Sequence, residues 1–300
     1  MKKVLIIGSK GFIGSHLLQY YQLKGDLVWG CDVVTDYPAA NYFLIDASNS
    51  DFNEVFQQQS FDVCINCSGS ASVPLSMQNP SRDYHLNVLN VFNLLEAIRR
   101  FNPSCTFINL SSAAVYGNPA SLPIKESDPV HPISPYGWHK LQSELLCKEF
   151  YQNFGIATCS LRIFSAFGAG LQKQLFWDWY QKILQSPQMS IYGTGNESRD
   201  FIYIKDLIHA IDCVVSKGDF NANIYNIANG KEIFIKDVIE VFRRNHRSSF
   251  TYSFTMETRT GDPINWVADI SKLRLLGFQP QVSFEKGVEH ILKWLQEEKG

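Results

Sequence analysis

Tyr136 and Lys140 lie four residues apart in the run Ser134-Pro135-Tyr136-Gly137-Trp138-His139-Lys140. On a helix that spacing turns phenol and ammonium toward one face. A phenol with an ordinary pKa of about 10 is a poor base at neutral pH. A nearby ammonium stabilises the phenolate and makes it a usable acid or base. Pro135 suits a first helical turn, and Ser134 before it can cap the exposed donors. Such a pair also occurs on solvated helix faces, so its meaning depends on what accompanies it.

Two motifs accompany it. Asn109-Leu110-Ser111-Ser112-Ala113-Ala114-Val115-Tyr116-Gly117 follows the apolar run Thr106-Phe107-Ile108. Open α/β sheets place ligands beyond the carboxyl ends of their strands, and hydroxyls there can hydrogen-bond a substrate oxygen. Ser112 then completes a Ser-Tyr-Lys set. At the N-terminus, Val4-Leu5-Ile6-Ile7 reads as a buried strand running into Gly8-Ser9-Lys10-Gly11-Phe12-Ile13-Gly14 and an apolar-periodic helix through Leu17, Leu18 and Tyr21. Gly8 permits the tight turn, Gly11 lets backbone approach a pyrophosphate, and Gly14 allows close packing of helix on strand. The helix N-terminus offers its unpaired N–H groups to phosphate. A second apolar stretch ends at Asp32, where a carboxylate can bind an adenosine ribose.

The elements that must position these groups alternate along the chain. Strand-like runs occur near 3–7, 27–32, 42–45, 62–67, 105–110 and 156–163, separated by helix-length segments. This pattern predicts an α/β fold, a doubly wound parallel sheet with helices on both faces. Helical spacing is expected over 83–100 and 135–153, with Gly155 ending the latter. The irregular remainder predicts a smaller α/β substrate domain. The division expected is a nucleotide domain over 1–165 with a return segment near 200–228, and a substrate domain from 166–199 and 229–300. The aromatic group Phe176, Trp177, Trp179 and Tyr180 is expected in the core. His139, one position off the Lys140 face, is expected toward solvent.

The net charge of −2 over 300 residues argues against a nucleic-acid or anionic-membrane partner. No apolar run approaches the roughly 20 residues that span a bilayer. Seven scattered cysteines read as reduced thiols of a cytoplasmic protein. Cys64 and Cys67 have CxxC spacing without a second pair, and no metal site is expected.

In these motifs the chain resembles the extended short-chain dehydrogenase/reductases, the NAD-dependent nucleotide-sugar epimerases and dehydratases. The resemblance runs nearly end to end. It includes Leu44-Ile45-Asp46, Asn87 after Asn79-Pro80, Arg162-Ile163-Phe164, Tyr192-Gly193-Thr194-Gly195, Ser198-Arg199-Asp200-Phe201 and Arg259-Thr260-Gly261-Asp262. It implies a Rossmann fold that binds NAD through Gly8, Gly11, Phe12, Ile13, Gly14, Asp32, Asp46, Asn87, Tyr136 and Lys140. It further implies Ser112, Tyr136 and Lys140 as catalytic residues acting at a sugar C4, with Arg199 and Arg259 on a diphosphate, Asp262 on a ribose and Ser165 near the diphosphate. Lys140 is expected to lower the Tyr136 pKa. Related dehydratases carry Asp-Glu after the catalytic hydroxyl, whereas Ala113-Ala114 stands here, so elimination of water is not expected. Ser165 replaces a common Asn, with shorter reach.

The expected activity is that of a nucleotide-sugar 4-epimerase. The alternatives are a reductase of a nucleotide-linked 4-keto-6-deoxy sugar and a non-catalytic nucleotide-binding protein. Lys10, a cation in the glycine turn, would suit the 2′-phosphate of NADP, but Asp32 opposes it, so NAD is the expected cofactor. The family also implies a homodimer through the helices around 83–100 and 135–153, with Val88, Val91 and Leu146 as candidate contact residues.

Overall fold

The computed structural model describes residues 1–36, 40–47, 50–257 and 261–297. Its strands in chain order are β1 (Lys3–Ile7), β2 (Leu27–Asp32), β3 (Tyr42–Leu44), β4 (Val63–Asn66), β5 (Thr106–Ser112) and β6 (Thr158–Ile163). Shorter strands follow as β7 (Ser165–Phe167), β8 (Gln188–Ile191), β9 (Ser198–Arg199) and β10 (Phe201–Tyr203). The last are β11 (Asn221–Ile227), β12 (Ile233–Phe234) and β13 (Thr251–Phe254). Seven of them form one parallel sheet in the order β11-β6-β5-β4-β1-β2-β3. The winding reverses between β1 and β4. A crevice opens beyond the carboxyl ends of the strands at such a switch point. Each expected sheet strand is present, and the chain returns to the sheet through β11.

The helices are α1 (Phe12–Lys24), α2 (Asn53–Gln58), α3 (Val73–Gln78), α4 (Pro80–Tyr84), α5 (Asn90–Phe101) and α6 (Pro135–Phe154). They continue with α7 (Gln174–Gln185), α8 (Ile204–Lys217), α9 (Ile235–Asn245), α10 (Ser271–Leu275) and α11 (Phe284–Glu297). The helix expected over 83–100 is broken by a π-helical turn, His85–Leu89, between α4 and α5. Such turns insert a residue and locally re-aim side chains; here the turn holds Asn87 buried.

Strand alternation divides the core in two. Val4, Ile6, Ile65, Ile108 and Leu110 pack with Leu17 and Tyr21 of α1 and with the apolar side of α8. Leu5, Ile7, Cys64 and Phe107 pack with Leu94 and Ile98 of α5 and with Cys147 and Phe150 of α6. Fully burying a side chain of this size contributes about 1.5–3 kcal/mol. The aromatic group lies in the core as expected: Phe176, Trp179 and Tyr180 are buried, and Trp177 packs against Trp294.

Helix α6 is held by polar contacts rather than by a simple apolar stripe. Ser134 caps it by accepting from Gly137 N at 3.2 Å, and Gly155 ends it in the left-handed conformation. Glu144 receives Arg162 Nε at 3.0 Å and Nη2 at 2.7 Å, with Ser111 Oγ donating at 2.6 Å. Removing one partner of so buried an ion pair costs about 3–5 kcal/mol, so Glu144 fixes α6 against β5 and β6. Asp200 makes a comparable tie further along, accepting from Asn229, Gly230 and Ala268 N–H groups at 2.9, 3.0 and 3.1 Å.

Candidate active site

Strand β5 delivers two serines to the carboxyl edge of the sheet, and their surroundings separate them. Ser111 is buried and committed to Glu144. Ser112 caps a 3₁₀ turn, Ala113–Tyr116, accepts from Ala114 N at 3.2 Å and acts on the Tyr136 phenol in the direction that favours its charged form. Helix α6 comes close to this turn because residue 137 is glycine: a Cβ there would meet Ala114 O at 2.6 Å. Ser112, Tyr136 and Lys140 are therefore brought together as expected.

The electrostatics depart from expectation. Lys140 Nζ donates to Leu110 O at 2.8 Å and lies 5.9 Å from the Tyr136 ring centroid. Burial nevertheless pushes the Tyr136 phenol up to about 12; the Ser112 hydrogen bond works against that rise and the Asp83 carboxylate adds to it. Burial also pulls Lys140 down to about 8, with Asp83, Cys67 and Glu144 acting upward. Desolvation penalises both charged forms and is the largest cause of each shift. The protein's own groups leave the phenol above its ordinary value.

His139 is a further correction. It is buried, and its Nδ1 lies 2.6 Å from Asp83 Oδ2. Helix α4 covers the side of α6 that was expected to meet water. Ser76, which accepts from Tyr136 N at 3.1 Å, also escaped sequence reasoning. A usable signal existed for Asp83: it stands four residues before Asn87, behind the Asn79 cap that accepts from Arg82 N at 3.0 Å.

The glycine turn has the shape of a dinucleotide cradle. A Cβ on Gly14 would sit 2.1 Å from Gly8 O, and one on Gly11 would sit 3.2 Å from the same oxygen. Gly11 stands at the N-cap of α1, which has no side-chain cap and no acidic residue in its first turn. Asp32 accepts from Lys10 N at 2.8 Å and Val33 N at 2.7 Å, which fixes its carboxylate beside the turn. Lys10 Nζ is engaged by Asp36 and lies over the Tyr42 ring at 5.3 Å. Asn87 is buried with neither side-chain amide atom hydrogen-bonded, and its Oδ1 lies 2.5 Å from where a Cβ on Gly69 would be. An unpaired buried amide carries a cost that a ligand's polar groups offset. These residues fit NAD: a short uncapped turn for its pyrophosphate, a carboxylate for its ribose, and an orphan amide at the sheet edge. Phe12 and Ile13 begin α1, and Asp46 is exposed beyond β3.

The substrate candidates are partly assembled. Arg199 Nη1 donates to Ser198 O at 2.8 Å and Ile264 O at 3.1 Å, and the guanidinium lies 5.7 Å from the Trp266 ring centroid. Burial depresses Arg199, while the nearby carboxylates of Asp262 and Glu197 act the other way. Ser165 sits in β7, its N–H donating to Asp200 O at 3.0 Å. Arg259 lies outside the described residues. No group of metal-ligating side chains occurs among the described residues.

A model of the NAD dependent epimerase/dehydratase family matches residues 4–228. The chain belongs to that family. A putative UDP-glucose 4-epimerase of Methanocaldococcus jannaschii is 27% identical, with 98% of both chains covered. A UDP-glucose 4-epimerase of Halalkalibacterium halodurans is also 27% identical, over 98% of this chain and 96% of its own. The fold is similar to that of the UDP-glucuronic acid 4-epimerase of Bacillus cereus, solved with UDP-glucuronic acid and NAD, at a TM-score of 0.89 and 28% identity over 99% of both chains. It is also similar to a UDP-N-acetylglucosamine 4-epimerase of Methanobrevibacter ruminantium, solved with UDP-N-acetylmuramic acid, at a TM-score of 0.87, 28% identity and 99% coverage of both.

Proposed function

We propose that this protein is an NAD-dependent 4-epimerase of a nucleoside-diphosphate sugar, and specifically of a UDP-sugar. The observation that carries the reading is the convergence of Ser112, Tyr136 and Lys140 beside the glycine cradle. The four 4-epimerase relatives and neighbours described above support the UDP-sugar class. NAD, held at the glycine turn, Asp32 and Asn87, would supply a reversible hydride acceptor for C4. Tyr136 takes the proton of the C4 hydroxyl and gives it back, and Ser112 hydrogen-bonds the same oxygen. Because the protein alone holds the phenol near 12, Tyr136 works as a base only where added positive charge favours phenolate. The cationic nicotinamide of NAD would add that charge, and Lys140 holds the cofactor with Asp32 and Asn87. Ala113 and Ala114 have no proton to move, which keeps the chemistry at C4.

Residues 166–199 and 229–300 are proposed as the substrate-binding portion, with Arg199 and Arg259 on the diphosphate, Asp262 on the ribose and Ser165 beside them. The engagement of Lys10 by Asp36 and the carboxylate of Asp32 favour NAD over NADP. No described helix is long and apolar enough to cross a membrane.

The test is incubation of purified protein with UDP-glucose, UDP-N-acetylglucosamine and UDP-glucuronic acid, without added reductant. C4 isomers should redistribute for at least one of them, and Tyr136→Phe should abolish this while NAD still binds. No isomerisation with any UDP-, GDP-, dTDP- or CDP-hexose rejects the reading.

A further inference from the structure

We propose that Asp83, held by His139, is a positioning residue of the active site, its carboxylate setting the charge felt by Tyr136 and Lys140. The proposal rests on Tyr136 as the proton-transfer group. Asp83 projects from α4 into the packing against α6 and is 2% exposed. Its Oδ2 meets His139 Nδ1 at 2.6 Å, while Oδ1 is buried without a hydrogen-bond partner among the described residues. A carboxylate with one buried partner is poorly screened by protein dipoles, and its field reaches further in a low-dielectric interior. The imidazole is fixed edge-on to Tyr84, ring centroids 5.4 Å apart. His139 occupies the helical position between the two catalytic residues, so the pair is built into the helix that carries the chemistry.

Tyr136, Lys140 and Glu144 stand on the same helix as His139, and Glu144 and Cys67, which follows β4, act on Lys140 but not on Tyr136. Arg82, exposed, lines with Asp83 a cavity of about 250 Å³ that also includes Ser70, Gln78 and Asn79. His85 follows in the π-helical turn. Among these, Asp83 is the charge that acts on both catalytic groups, holding the proton on Lys140 and disfavouring phenolate at Tyr136. Its role is restraint: Lys140 stays cationic, and Tyr136 gives up its proton only when the assembled site favours it.

The test reads the phenol directly and needs no sugar, so it stands or fails separately from the epimerase reading. Protein labelled with ¹³Cζ-tyrosine is titrated by NMR with saturating NAD, and Tyr136→Phe assigns the resonance. Asp83→Asn, with Asp83→Ser as a second neutral substitution, should lower the Tyr136 midpoint by about one pH unit. His139→Gln, which keeps both the charge and a donor to it, should not lower the midpoint. An unmoved midpoint in both neutral variants overturns the proposal. A downward shift in His139→Gln as well would assign the effect to lost packing and overturn it too.

Discussion

Lys140 shows how a proposed catalytic group is held at a cost to the fold. Its ammonium is buried and has one hydrogen bond, to Leu110 O at 2.8 Å. Burial takes it from 10.5 to about 8. The folded value lies below the unfolded one, so the unfolded chain binds more protons between them, and stability rises with pH across that window. Lys140→Met removes this titration and also leaves Leu110 O unpaired, a penalty that does not depend on pH. The wild type should therefore gain about 2 kcal/mol relative to Lys140→Met between pH 7 and pH 9.5. Urea unfolding at the two pH values measures it; a stability difference that stays constant would show that Lys140 is not desolvated in the folded state. The same balance explains why the Tyr136–Lys140 spacing was legible while its electrostatics were not. Spacing is local, whereas desolvation depends on the helices and turn that close over both groups.

The cradle at the end of β1 belongs to the scale of elements, because it works only when strand, turn and helix meet at fixed separations. Gly14 and Gly11 separate two demands on it. A Cβ at Gly14 would stand 2.1 Å from a backbone oxygen of Gly8, and neither side can yield without moving α1 off β1. Gly14→Ala should cost about 1–3 kcal/mol of stability by overpacking and should lose NAD as well. At Gly11 the nearest atom would be 3.2 Å away, so Gly11→Ala should leave the melting temperature near wild type while weakening NAD binding through the closer approach to pyrophosphate. Thermal melts and NAD titration on both variants check this, and equal loss of stability in the two would refute the division of roles.

These elements were readable because each carries its own periodicity and punctuation within a few residues. The Asp83–His139 pair, 56 residues apart, was not: helical periodicity alone turns His139 outward, and only the placement of α4 buries it. The short ladders β7–β10, β8–β13 and β9–β12 have two to four residues per strand. That is too little alternation to locate Arg199 beside Trp266 and Asp262 from sequence.

At the scale of the whole molecule, helix α6 faces the catalytic residues on one side and open surface on the other. Trp138 is 51% and Leu145 56% exposed on it, and Tyr84, Leu89 and Phe92 are exposed on the neighbouring α4–α5 segment. Val88, in the π-helical turn, and Val91, at the start of α5, were anticipated as contact residues and are instead buried inside the subunit. Exposed aromatic and aliphatic side chains on two adjacent helices suit a four-helix contact between two copies of the chain. We therefore expect a homodimer, with Trp138→Glu combined with Leu145→Glu giving monomer in sedimentation at micromolar concentration. Dimerisation should also make the melting temperature of the wild type, but not of the double variant, rise with protein concentration. Trp138 and Leu145 flank His139, Lys140 and Glu144 on one helix, so a subunit contact made there would share a single rigid element with the proposed active site. Splitting the dimer should then lower kcat several-fold while leaving NAD affinity, which the glycine turn after β1 and Asp32 set without any part of the exposed face of α6, close to wild type. A wild-type protein that sediments as monomer, with a melting temperature independent of concentration, would leave these apolar faces without a partner copy and refute the dimer.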